Sequence, residues 1–89
     1  MSWNITFSNP ALKQLKKLDA TVQSRIKKAV YDKLLPNPKA CLIPLVGDLS
    51  GFYKFRVGDY RLLCRKEDEE LTVLVVKVKH RKESYKHLS

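Results

Sequence analysis

Polar and apolar residues alternate from Ser2 to Ser8, with Trp3, Ile5 and Phe7 pointing one way and Asn4, Thr6 and Ser8 the other. A period of two predicts a half-buried strand. The period changes at Asn9-Pro10, where Asn9 is suited to cap a helix and Pro10 to occupy its first position. Leu12, Leu15 and Leu18 then recur at helical spacing, with Lys13, Lys16 and Lys17 on the outer side. Asp19 reads as a break and a second cap. Beyond it Val22, Ile26, Ala29, Val30 and Leu34 form the stripe of a second helix, opposite Arg25, Lys27 and Lys28. Pro36 ends that helix. The short link predicts an antiparallel helical hairpin lying on a sheet.

Pro36 to Ser50, with three prolines and Gly47, reads as a loop pinned to the core by Leu42, Ile43, Leu45 and Val46. Two apolar and aromatic runs follow, separated by Gly58-Asp59, a two-residue loop with glycine first to accept positive φ. Lys66-Glu67-Asp68-Glu69-Glu70 is an acidic turn. Leu71 to Lys79 is the last strand, apolar enough over Leu71–Val76 to be central and covered on both faces. The order is β-α-α-β-β-β. It predicts one small α+β domain over residues 1–89, an antiparallel-rich sheet with the helical hairpin packed on it.

The two-residue loop sets the register of the β-hairpin: Val57 opposite Tyr60, Arg56 opposite Arg61, Phe55 opposite Leu62 and Lys54 opposite Leu63. Tyr53, Phe55, Val57, Tyr60, Leu62 and Cys64 then share a core face. Phe52, Lys54, Arg56, Arg61, Leu63 and Arg65 share the other. Arginine opposite arginine is destabilising in a sheet. A polyanionic partner would offset that repulsion; otherwise the face is simply solvated.

Charge makes the first alternative weightier. The 89 residues carry 18 Lys plus Arg against 9 Asp plus Glu, a net +9, which favours nucleic acid or an anionic surface. The end of the chain repeats the theme: Lys77, Lys79, His80, Arg81, Lys82 and Tyr85 lie close together, and Arg81 falls on the strand parity of Lys77 and Lys79. Cys41 and Cys64 show no metal-ligand spacing, and with two His no zinc set is visible. Two thiols without a signal peptide fit a reducing cytoplasm. No apolar run approaches the roughly 20 residues of a membrane span.

Over nearly its whole length the sequence resembles the RelE-type toxins of bacterial toxin–antitoxin pairs. The resemblance lies in Ala11-Leu12-Lys13-Gln14-Leu15-Lys16-Lys17-Leu18, Tyr53-Lys54-Phe55-Arg56, Tyr60-Arg61-Leu62 and His80-Arg81-Lys82-Glu83-Ser84-Tyr85. It implies a ribosome-dependent endoribonuclease that enters the decoding site and cuts messenger RNA by attack of a 2′-OH on the adjacent phosphate, without metal or cofactor. It implies an acidic antitoxin, the ribosome and mRNA as partners, and no membrane. Lys54 and Arg56 match the two basic residues of the second strand, and Arg61 the phosphate-stabilising arginine. Arg81 matches the arginine at the leaving oxygen, and Tyr85 the tyrosine that stacks on or orients the substrate. Arg56 stands where well-known relatives have lysine. An arginine stays protonated, so Lys54 is the stronger candidate for the base. His80 is a further titratable group and reads equally as solvated or functional.

The residue types suit this chemistry, because phosphoryl transfer needs positioning and charge stabilisation more than covalent help. No carboxylate cluster suggests two-metal hydrolysis. Tyr85 suits stacking of unpaired bases, whereas Tyr53 and Tyr60 fall on the core face and His87 reads as solvated. Lys13, Lys16, Lys17, Arg25, Lys27 and Lys28, with Arg65, Lys77 and Lys79, are candidate RNA contacts. Two other classes stay open: a ParE-type poison of DNA gyrase, which shares the fold but does not require Arg61, Arg81 and Tyr85, and a nucleic-acid-binding module without catalysis.

Overall fold

The computed structural model describes residues 3–80. Strand β1 is Asn4–Phe7, followed by helices α1, Asn9–Lys16, and α2, Ala20–Ala29. A single-turn helix α3, Pro38–Cys41, leads into β2, Ile43–Pro44; the remaining strands are β3, Tyr53–Val57, β4, Tyr60–Glu67, and β5, Thr72–His80. They form one sheet in the order β1-β5-β4-β3-β2. The β1–β5 pair is parallel and all other pairs are antiparallel. This is the α+β class the sequence predicts, but the predicted order β-α-α-β-β-β lacks α3 and the edge strand β2, which lie in the stretch read as a loop.

One face of the sheet is the core face. Phe55, Val57, Leu62, Cys64, Val73, Val75 and Val78 pack there against Ala11, Leu15, Ile26, Val30 and Leu34. The stripe predicted for the second helix is therefore the buried one. It runs through a π turn, Val30–Leu34, in which Leu35 N–H donates to Val30 O at 2.8 Å. Tyr53 and Tyr60 also pack against this core, as their hairpin parity implies.

Four local expectations are corrected. The N-cap of α1 is Ser8, not Asn9: Ser8 keeps an extended backbone and its Oγ accepts from Ala11 N–H at 3.2 Å, while Asn9 is already helical. The helix buries Ala11 and Leu15 and leaves Leu12 partly in solvent. In the Pro36–Ser50 connection Leu42 is buried, but Ile43 is exposed and Val46 is 85% exposed. Ile43 pairs opposite Lys54, which turns it away from the helices. Lastly, Leu74 and Val76 of β5 are only half-buried, because the packed helices cover one face of the sheet and not the other.

Among the described residues no helix is long and apolar enough to cross a membrane.

Candidate nucleic-acid interface on the open sheet face

The hairpin has the predicted register. Gly58 takes φ +55° at the first loop position and Asp59 does not adopt positive φ, the pattern of a type II′ turn. Arg56 is opposite Arg61, and Lys54 opposite Leu63. The third strand extends both rows: Lys79 is opposite Arg61, and Lys77 opposite Leu63. Directly paired residues lie on one face. The rows Arg56–Arg61–Lys79 and Lys54–Leu63–Lys77 therefore stand side by side on the face turned away from the helices. Each row spans two strand spacings, about 10 Å.

A β-bulge brings the lysines of β5 there. Leu63 and Cys64 are consecutive on β4, but their partners are Lys77 and Val75, so Val76 is an extra residue on β5. Before the bulge Val73 and Val75 face the helices; after it Val78 does. Strict alternation from Val73 and Val75 would have sent residues 77 and 79 into the core.

Five cations on one small face repel one another and attract a polyanion. Between them lies Leu63, only 3% exposed, with Ile43 at the end of the same row beside Lys54. Leu63 is thus covered, and Ile43 is an exposed apolar residue beside the cations. Arg65, on the same β4 parity, is exposed and lies 3.8 Å from Glu67.

The other candidates lie elsewhere. His80 is opposite Tyr60 on the helix-facing side, with the two rings edge to face at 5.1 Å. It lines a cleft of about 220 Å³ with Val22, Arg25, Ile26, Val57 and Asp59. Arg81 and Tyr85 lie outside the described residues. Lys13, Lys16, Lys17, Arg25, Lys27 and Lys28 are exposed on the helical layer, on the other side of the sheet. Arg25 and Lys28 meet the hairpin tip in a cleft of about 320 Å³ that also takes in Lys33 and Arg56. Lys33, which the sequence reading did not single out, lies eight residues from Arg25 and so on the same helical face.

Tyr53 carries the Lys66 ammonium 5.2 Å from its ring centre. Burial pushes the Cys64 thiol up to about 12, so this cysteine is a core residue and not a nucleophile. Among the described residues no three His, Cys, Asp or Glu gather as a metal site. Chemically, the open face can bind a phosphodiester and stabilise negative charge developing on it.

Known proteins match this architecture. The family model described as the ParE toxin of type II toxin-antitoxin system, parDE, matches residues 5–85. Toxin RelG of Mycobacterium tuberculosis is 31% identical over 86 residues, which is 97% of this chain and 99% of that protein. The structure of the toxin-antitoxin complex RelBE2 from M. tuberculosis contains a similar chain, with a TM-score of 0.85 and 31% identity over 91% of this chain and 100% of that one. The intact E. coli RelBE toxin-antitoxin complex contains another, with a TM-score of 0.72 and 27% identity over 91% and 99%. Fold, face and these likenesses together place the chain: it belongs to the ParE toxin family, as a RelE-type toxin of a type II toxin–antitoxin system.

Proposed function

We propose that the protein is a ribosome-dependent endoribonuclease that inhibits translation by cutting messenger RNA. The observation that carries this reading is the Arg56–Arg61–Lys79 row, with Lys54 and Lys77 in the adjoining row, on the open face of the sheet. In the proposed reaction the 2′-oxygen of one nucleotide attacks the adjacent phosphorus. A cyclic phosphate forms as the bond to the 5′-oxygen of the next nucleotide breaks. Lys54 takes the 2′ proton, Arg56 and Arg61 hold the phosphate oxygens, and the leaving 5′-oxygen takes its proton from water. By family resemblance Arg81 acts at the leaving oxygen and Tyr85 stacks on or orients the substrate. The cations of the helical layer would meet ribosomal RNA, so that cutting of free RNA is weak and association falls steeply with salt. The site of action would be the cytoplasm, where ribosomes are.

The partner that restrains this activity would be an acidic antitoxin. The net +9 charge and the likeness to chains solved as toxin-antitoxin complexes support it. Co-expression should yield a complex that survives high salt, because apolar anchors as well as charge would hold it.

Primer extension on a translated message tests the reading. Cuts at codons on programmed ribosomes are expected. DNA breaks with intact message would replace it with gyrase poisoning, and neither would leave a binding module.

A further inference from the structure

The β1–β5 ladder stops at Phe7 opposite Val75, because the chain leaves the sheet at Ser8 to enter α1. Beyond that point, among the described residues, β5 has a strand on its β4 side only. Side chains and backbone of the α1 segment complete the other edge. Ser8 N–H donates to Val75 O at 2.9 Å, and Ser8 Oγ–H donates to Val76 O at 2.8 Å. Val78 N–H donates to Gln14 Oε1 at 2.8 Å. These three bonds bracket the bulge. Gln14 holds the residue that sits between Lys77 and Lys79.

We propose that Gln14 is a positioning residue for the cationic face: by accepting from Val78 N–H it keeps the end of β5 in the bulged register that brings Lys77 and Lys79 beside Arg61, and so controls RNA binding without touching RNA. The inference rests on the proposed action on RNA. Its physical basis is the partial burial of that edge. A backbone N–H shut away from both water and an acceptor is destabilised, and β5 would relieve this by fraying from β4 at the end that carries the two lysines. Gln14 lies on the helical side of the sheet and the lysines on the open side, so its effect on the open face passes through β5.

A mutant cycle tests this. Gln14→Met keeps the length and apolar stem and removes the acceptor. It is combined with Lys77→Ala/Lys79→Ala, and the affinity of each protein for a short single-stranded oligoribonucleotide is measured over a range of salt from low ionic strength. Gln14→Met should lower the slope of log affinity against log salt toward that of Lys77→Ala/Lys79→Ala, a fall of about 1.4 for two lost phosphate contacts. It should change nothing further in the Lys77→Ala/Lys79→Ala background. Amide exchange at Val78 should quicken in Gln14→Met and return toward wild type in Gln14→Glu, which keeps an acceptor. A wild-type slope in Gln14→Met, or an effect that adds in full to Lys77→Ala/Lys79→Ala, overturns the proposal. If the cycle holds but the wild-type protein cuts no message on ribosomes, the nuclease reading falls and the role of Gln14 stands.

Discussion

Arg56 and Arg61 stand directly opposite each other across the β3–β4 ladder, and the pairing continues from Arg61 to Lys79 on β5. Three like charges in one row oppose folding and are suited to a phosphate placed over them. Arg61, at the centre, should matter most. Arg61→Ala should slow single-turnover cleavage on programmed ribosomes about 10²–10³-fold, by analogy with removing one donor from an oxyanion site. The variant should fold, as circular dichroism would report. A folded Arg61→Ala protein that cuts at the wild-type rate removes Arg61 from the site.

Lys54 lies in the adjoining row, opposite Leu63, and is the proposed base. Lys54→Ala should lower the cleavage rate about 10²–10⁴-fold, the usual contribution of a general base. The rise of the rate with pH should flatten at the same time. An unchanged pH profile on a lowered rate would make Lys54 a phosphate contact instead.

At the start of α1, Ser8 Oγ accepts from Ala11 N–H and donates to Val76 O. Ser8→Ala should cost about 0.5–2 kcal/mol in urea unfolding, the range for loss of an N-cap. Asn9→Ala, one residue on, should lie within about 0.5 kcal/mol of wild type. The reverse ranking would return the cap to Asn9.

Burial raises the Cys64 thiol from 9.0 to about 12. Between those values the folded chain keeps a proton that the unfolded chain loses. This contribution to stability is complete below pH 9 and declines as pH rises toward 12, by about 1.4 kcal/mol per unit at most. From pH 9 to 11 the wild type should lose about 2 kcal/mol more than Cys64→Ala, which has no thiol to ionise. Equal losses in urea unfolding at the two pH values would show that Cys64 is accessible enough to titrate normally.

Much of the architecture was legible in the chain because it rests on local rules. Gly58-Asp59 allows a tight turn, the turn sets the register, and the register puts Arg56 opposite Arg61. The stripe Val22, Ile26, Ala29, Val30, Leu34 follows from helical period alone, and its buried members bear it out. The same local reading named Lys54, Arg56 and Arg61 as neighbours on one face. What it could not decide depends on partners distant in sequence. Whether Asn9 or Ser8 caps α1 turns on Ser8 also reaching Val76, 68 residues away. His80 lies against Tyr60 because β5 pairs there with β4. The lysines of β5 reach the open face through a bulge at Val76, and Leu71–Val76 reads as an unbroken apolar strand with nothing in it to mark an extra residue. A bulge is a property of two strands matched against each other. Here β4 and the edge contacts from Ser8 and Gln14 accompany it, so the row of cations became complete only when the sheet assembled.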